Sequence, residues 1–132
     1  MPTRIHHIGV AVADLDESIQ VYESALGAQL VHRATNEKEG LEAAFLRVGE
    51  GEIELMAALR DDSPVGKFMA RRGPGLHHVA YAVSDIDKAL ADARASGLDL
   101  IDAEPRIGMH GTRIAFLHPK SVGGVLTELV EA

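Results

Sequence analysis

The chain has 132 residues, 46% of them hydrophobic and 25% charged, which predicts one globular domain (1–132) with a core of ordinary size. Its formal net charge of −7, with no lysine or arginine stripe to offset it, argues against nucleic-acid binding, and no apolar run approaches the ~20 residues of a membrane-spanning helix. Because the chain has no cysteine and no signal-peptide pattern, disulfide and thiolate chemistry are excluded and a cytoplasmic location is expected.

The N-terminal segment "IHHIGVAVADLDESI", residues 5–19, is an alternating apolar run that leads through an Asp-x-Asp turn into a helical pattern. A second copy, "LHHVAYAVSDIDKAL", occupies residues 76–90. An internal repeat of this kind indicates a fold built from two similar modules. Capping boxes are predicted at the two helix starts, and glycines are predicted to end the helices. These positions are Asp14 with Glu17, Ser84 with Asp87, Gly27 and Gly97.

Strand-like runs follow each helix: "AAFLRV" and "EIELMAAL" in the first half, then "RIAFLH" and "GVLTELV" in the second. The pattern predicts an α+β fold of two βαβββ modules, at about 1–59 and 76–132. The modules are expected to form a cupped mixed β-sheet around a metal site, with the helices on its outer face. Residues 60–75 are predicted to be a linker with a short helix at about 66–71.

Strand alternation separates the two histidines of each copy, since successive side chains of a strand point to opposite faces. His7 shares its face with two very small residues, Gly9 and Ala11, and His78 likewise shares its face with small residues. A sheet face that is small beside a histidine suggests a cavity. His6 and His77 have the opposite parity and are predicted to be structural or exposed.

Each half also places one glutamate inside an apolar strand, Glu54 in "EIELMA" and Glu128 in "LTELVE". A buried carboxylate is costly unless something compensates its charge. Two histidines and two carboxylates in symmetric positions favour a divalent-metal site with open positions. Taken singly, each of these residues is more often an ordinary strand histidine or a water-facing acid.

Two loops of the second half are weaker candidates. In "HPK", residues 118–120, the lysine could meet a phosphate or carboxylate, although a solvated lysine is the commoner case. The loop "GMHG", residues 108–111, could cover the cavity with its backbone amides or be only a flexible turn.

The histidine at the start of each βαβββ unit, with a glutamate on a later strand, resembles the vicinal oxygen chelate superfamily, which includes glyoxalases, bleomycin resistance proteins and dioxygenases. Within it, the whole chain is similar to the methylmalonyl-CoA epimerases. The segments that show this similarity are "HHIGVAVADLD", "DDSPVGKFMARRGPGLHHVAYAV", "EPRIGMHGTRIAFLHPKS" and "GGVLTEL".

The resemblance implies an isomerase that interconverts (2R)- and (2S)-methylmalonyl-CoA by removing and returning the α-proton through a metal-stabilised enolate. It implies metal ligands at His7, Glu54, His78 and Glu128, with cobalt, manganese, zinc or nickel as the ion. Many epimerases have glutamine at the position of Glu54. The glutamate makes the ligand set look like that of bacterial glyoxalase I.

The resemblance is less specific about proton transfer and CoA binding. Glu128 is the first candidate base, and Glu42 is a weak second candidate, because the glutamate of some bacterial epimerases aligns with Ala43. A one-residue offset turns a strand side chain to the other face. The residues expected to bind the acyl-CoA substrate are Lys120, Arg113, His110 and Gly111. A homodimer is expected from the family.

Other functions remain open at this level. A glyoxalase I-type lyase would use the same ligand types and the same enolate chemistry. A metal-free member of the superfamily that only binds a small molecule is a second alternative. An iron dioxygenase with two histidines and one carboxylate would leave the second glutamate unexplained.

Overall fold

The structure, a computed structural model, describes all residues from Met1 to Ala132. One mixed sheet contains all eight strands in the order β2-β3-β4-β1-β5-β8-β7-β6, and the β5–β8 pair is parallel. The strands are β1 (Arg4–Ala11), β2 (Gln29–Asn36), β3 (Leu41–Val48), β4 (Gly51–Ala58), β5 (Gly75–Val83), β6 (Arg106–Ile107), β7 (Arg113–Leu117) and β8 (Thr127–Glu131). The α-helices are α1 (Leu15–Leu26), α2 (Pro64–Arg72) and α3 (Ile86–Ala95). The predicted α+β class and the duplicated βαβββ order are confirmed.

The chain divides into two compact units, one of residues 8–77 and the other of residues 1–7 together with 78–132. This division places the first seven residues with the second half of the chain rather than with the predicted first module. Within the unit that contains residues 1–7, the Thr3 amide donates a backbone hydrogen bond to the Ala82 carbonyl at 2.8 Å. No helix is both long and apolar enough to span a membrane.

In the unit of residues 8–77, α1 packs on the sheet through its apolar stripe. Leu15 and Ile19 contact a buried cluster that includes Leu46 and Leu55. The predicted start of this helix is confirmed, because the Asp14 carboxylate accepts a hydrogen bond from the Glu17 amide at 3.0 Å. At its end Gly27 adopts a left-handed conformation with φ of 66°.

In the other unit, α3 begins one residue later than predicted. Its N-cap is Asp85, whose carboxylate accepts from the Lys88 amide at 3.1 Å, and the predicted cap Ser84 is wrong. Asp85 is the last residue with extended backbone angles, so its side chain, and not that of Ser84, is within reach of the first free amides. Buried Ile86 and Leu90 of α3 then pack in a cluster with Leu117 and Leu129.

Strand β2 has no counterpart among the sequence-based strands. Most of its side chains are exposed, and as an edge strand it pairs only with β3. An exposed edge strand has no apolar alternation, which is the signal that sequence patterns detect. For β8 the predicted strand was too long at its start: the run began at Gly124, whereas the strand begins at Thr127.

The predicted helix between the halves is α2, and Gly66 lies in its first turn. Ser63 caps this helix by accepting from the Gly66 amide at 3.0 Å. A Cβ at Gly66 would lie 2.5 Å from the Arg60 carbonyl oxygen and 2.7 Å from that of Asp61. Since both obstacles are backbone atoms, they cannot move aside cheaply.

We therefore expect Gly66→Ala to destabilise the fold by about 1–3 kcal/mol, because the new methyl group overpacks this turn. Chemical denaturation measures the free energy of unfolding. The control is Lys67→Ala at the exposed next position, which is expected to change that free energy by less than about 0.5 kcal/mol. A Gly66→Ala protein as stable as the parent would contradict the close approach of these carbonyl groups.

Candidate metal centre

Two histidines lie buried on adjacent strands, His7 on β1 and His78 on β5, each with 3% of its surface exposed. Their neighbours at alternate positions are buried small residues, among them Ala11 and Ala80. Val10, of the opposite parity on β1, packs against the cluster that surrounds α1. The predicted assignment of the two strand faces is thus confirmed.

Glu128 of β8 completes a compact triangle with these histidines. The two Nε2 atoms are 3.0 Å apart. Glu128 Oε1 lies 3.3 Å from the Nε2 of His7 and 3.0 Å from that of His78. The parallel pairing of β5 with β8 places Glu128 opposite Ala80, two residues beyond His78 on the same face. Small side chains on β5 leave room for the carboxylate.

Glu54 is the corresponding glutamate of the first half and is 5% exposed on β4. Its neighbours Leu55 and Ile53 pack towards α1, so the Glu54 side chain lies on the opposite face of its strand. One potential ligand atom from each of four residues lies within 4.8 Å of the other three. The residues that the structure brings together are those predicted: His7, Glu54, His78 and Glu128.

Glu128 is a buried carboxylate that the histidines keep ionised. Burial acts to raise the pKa of the Glu128 carboxyl group, but its hydrogen bonds with His7 and His78 outweigh burial and hold the pKa below its ordinary value. Glu54 is a second buried carboxyl group in the same cluster. With neutral histidines, two ionised carboxylates would place two negative charges in a desolvated site, which is costly without a compensating cation.

The donor set and its spacing fit a divalent metal ion. Imidazole nitrogens and carboxylate oxygens are ligands of first-row divalent metals. Ligand atoms about 2.1 Å from one ion and at right angles lie about 3.0 Å apart, close to the distances between the His7, His78 and Glu128 atoms. The three atoms are therefore spaced as ligands of a single cation would be.

His6 is the residue near this cluster that strand parity missed. It is half-buried, and its Nδ1 lies 2.8 Å from the Nδ1 of His7. The ring of His110, from the loop of residues 108–111, stands edge-on to His6 at 5.5 Å and lies 6.4 Å from His7. The structure thus brings the His110 ring close to the cluster, and its contact with substrate stays a prediction. The repeated His-His sequence was the only available signal for His6.

Glu42, the predicted second base, is not brought to the cluster. Its partner across β3 and β4 is Ala57, whereas Glu54 lies opposite Phe45, so Glu42 and Glu54 are on opposite sheet faces. The Glu42 carboxylate lies 3.6 Å from the Arg33 guanidinium. Ala43, at the position where some relatives are expected to carry glutamate, is fully buried and has no titratable group.

Two of the residues predicted to contact CoA, Arg113 and Lys120, differ in how strongly other side chains already bind them. All three guanidinium nitrogens of Arg113 donate to carboxylates at 2.8–3.1 Å, two to Glu131 and one to Asp87. These hydrogen bonds raise the pKa of Arg113 and lower that of Glu131, and they tie β7 to β8 and α3. Lys120 is on the surface, 3.4 Å from an Asp99 oxygen.

Gly111 is exposed and has φ of 79°, which favours glycine at this turn of the His110 loop. The turn is closed by two backbone hydrogen bonds, from Gly108 to Thr112 and from Gly111 to Gly108. The loop therefore has a defined course beside the histidines.

Comparison with known proteins identifies the family. The sequence profile of the glyoxalase/bleomycin resistance protein/dioxygenase superfamily matches residues 6–116. The chain belongs to this superfamily. The crystal structure of methylmalonyl-CoA epimerase from Mycobacterium tuberculosis is 43% identical in sequence, with a TM-score of 0.93 over 98% of this chain and 87% of that one.

Two further relatives have the same activity in their names. A methylmalonyl-CoA epimerase solved in complex with methylmalonyl-CoA and NH4+ is 42% identical, with a TM-score of 0.94 over 98% of this chain and 94% of that one. The human mitochondrial methylmalonyl-CoA epimerase is 35% identical over 98% of this chain and 74% of its own length. The predicted resemblance to methylmalonyl-CoA epimerases is confirmed, and with it the expectation of an enzyme, an isomerase.

Proposed function

We propose that this protein is a metal-dependent methylmalonyl-CoA epimerase. The observation that supports the proposal best is the buried group of His7, Glu54, His78 and Glu128, found in a chain that is similar to methylmalonyl-CoA epimerases over 98% of its length. These four residues would hold the ion. When bound, a divalent ion supplies a Lewis acid that stabilises the negative charge of an enolate.

Glu128 is the residue proposed to move the proton. Its Oε1 lies 3.3 Å from the Nε2 of His7 and 3.0 Å from that of His78, and an ionised carboxylate is a group that can accept a proton. The proton leaves C2 of the methylmalonyl group for the Glu128 carboxylate, and the electron pair moves into the thioester carbonyl. Reprotonation of C2 from the opposite face inverts the centre.

Reprotonation of C2 from the face of the enolate opposite Glu128 needs another proton donor. Ala43 offers none, and Glu42 is turned towards Arg33. We propose that water delivers this proton, so that hydrogen at C2 of the product comes from solvent. Burial of the cluster limits how many water molecules reach the site, which protects the enolate from other reactions.

The CoA part of the substrate is polyanionic, and we propose Lys120 and the His110 loop as its contacts. The Lys120 side chain is 73% exposed, so it can turn from Asp99 to a phosphate. Arg113 is left out of this proposal because its nitrogens already bind Glu131 and Asp87. The homodimer stays a prediction from the family, and the cytoplasmic location stays a prediction from the lack of cysteine and of a signal-peptide pattern.

The test is exchange of the substrate's α-proton. Protein stripped with chelator and reloaded with cobalt, manganese, zinc or nickel is incubated with (2S)-methylmalonyl-CoA in D2O. We expect mass spectrometry to show a gain of one deuterium at C2, with formation of the (2R) epimer and little exchange in the metal-free sample. No exchange with any of the four metals would overturn the proposal.

A glyoxalase I-type lyase is the second candidate, since Glu54 gives the two-histidine, two-glutamate set typical of bacterial glyoxalase I. Its assay uses the hemithioacetal of methylglyoxal and glutathione with the same metal-loaded samples. Turnover of the hemithioacetal without exchange of methylmalonyl-CoA would identify the lyase instead.

A further inference from the structure

The His7 ring is held from both sides, because each of its nitrogens has a distinct neighbour. Its Nε2 faces the Nε2 of His78 and an oxygen of Glu128. Its Nδ1 lies 2.8 Å from the Nδ1 of His6, the preceding residue of β1. Although His6 and His7 have opposite strand parity, His6 lies near the beginning of the strand and turns its ring to meet His7 edge-on, with centroids 5.1 Å apart.

The short distance between the two Nδ1 atoms requires one proton between them. A neutral imidazole has one N–H and one lone pair, and two lone pairs at 2.8 Å would repel. If His7 is to present the lone pair of Nε2 to a metal ion, its proton must be on Nδ1. His6 must then accept that proton's hydrogen bond through its own Nδ1.

We propose that His6 is a positioning residue, which accepts the Nδ1–H of His7 and thereby holds the Nε2 lone pair of His7 in the metal site. The inference rests on the proposed metal site. Metal-bound histidines commonly donate their other N–H to a fixed acceptor, which sets the tautomer and the ring orientation. His110, edge-on to His6 at 5.5 Å, limits the rotation of the His6 ring.

The second copy of the His-His pair provides an internal control. His77 precedes His78 on β5 as His6 precedes His7 on β1, but the His77 ring packs edge-on against Phe68 of α2 at 4.8 Å. Identical dipeptides therefore have different neighbours in the two halves. Only the first is assigned a positioning role, so substitutions at His77 serve as matched controls.

The experiment measures cobalt affinity by competition with a chromophoric chelator, using metal-free protein. His6→Phe keeps a planar ring but removes the acceptor, and we expect it to weaken cobalt binding by about 10–100-fold. His6→Asn restores an acceptor close to the position of Nδ1 and is expected to bind within about threefold of the parent. His77→Phe is expected to bind as the parent does. Equal weakening in His6→Phe and His6→Asn, or none in His6→Phe, would overturn the inference.

A second measurement uses the unaltered protein and does not depend on the folding of a variant. Long-range 15N–1H correlation spectra of the zinc-loaded protein report the tautomer of each histidine. We expect the His7 proton on Nδ1 and the His6 proton on Nε2, and the reverse arrangement would overturn the inference. Metal binding with these tautomers but without methylmalonyl-CoA exchange would refute the proposed function and leave the role of His6 intact.

Discussion

His78→Ala is expected to abolish both metal binding and epimerase activity, whereas His77→Ala retains most of both. His78 is 3% exposed, and its Nε2 lies 3.0 Å from both the His7 nitrogen and the Glu128 oxygen. Removing its ring takes away one of the four proposed ligands and leaves the Glu128 charge buried with less compensation. We expect bound metal below a tenth of the parent's stoichiometry and a loss of activity on the order of 1000-fold or more.

The measurements are metal content by plasma mass spectrometry and the rate of deuterium exchange into methylmalonyl-CoA. His77→Ala is the matched control because it removes the same side chain one residue away, where the ring packs against Phe68. Circular dichroism checks that both variants fold. Equal losses in the two variants would mean that the metal site does not use the face of β5 that bears His78.

Glu128→Gln is expected to reduce kcat by about 100-fold to 10,000-fold, the range for loss of a general base. The substitution keeps the shape of the side chain but removes the charge of an oxygen within 3.3 Å of both histidines. An amide is neither a comparable base nor an equal ligand, so metal affinity falls as well. Saturating metal separates the two effects, and the remaining deficit in kcat measures the lost proton transfer.

Glu54→Gln is the matched comparison, since it makes the same chemical change at the corresponding residue of the other half. Because epimerases are expected to use glutamine at this position, the variant should keep its metal and at least about a tenth of the parent's kcat, as a neutral amide oxygen can still serve as a ligand. Similar losses in Glu54→Gln and Glu128→Gln at saturating metal would show that Glu128 acts as a ligand and not as the base.

The choice between glutamate and glutamine at position 54 also sets the net charge of the proposed metal centre. Two buried carboxylates and two imidazoles give a neutral centre with a divalent cation, whereas a glutamine would leave one positive charge for an anionic enolate. With the proposed ion bound, Glu54 would therefore lower the electrostatic attraction of the site for an anionic substrate. For this reason we expect Glu54→Gln to raise the affinity for methylmalonyl-CoA, which a lower KM in the same assay would reveal.

Features that depend on local periodicity could be predicted from the amino-acid sequence. Alternation along β1 and β5 separated His7 and His78 from their neighbours, because the side-chain period of a strand is two whatever the strand packs against. The repeat then paired each histidine with a glutamate, Glu54 or Glu128. The same rule raised the doubt about Glu42, whose offset of one residue places it on the other sheet face.

Contacts between side chains far apart in the sequence became evident from the folded structure. Arg113 was a CoA candidate until the fold placed Glu131 and Asp87, 18 and 26 residues away, against its guanidinium. The edge strand β2 formed because β3 offered a hydrogen-bonding partner, and its exposed side chains show no alternating pattern.

The paired histidines show most clearly that a sequence pattern does not predict the neighbours of a side chain. His6 and His77 occupy identical positions in two similar sequences, yet one is hydrogen-bonded to a histidine and the other packs on a phenylalanine. Strand parity assigns a direction to a side chain, but it cannot specify the neighbour, because that neighbour comes from a different element in each half. The sequence therefore predicted the four residues of the candidate metal centre, and the fold alone showed what surrounds them.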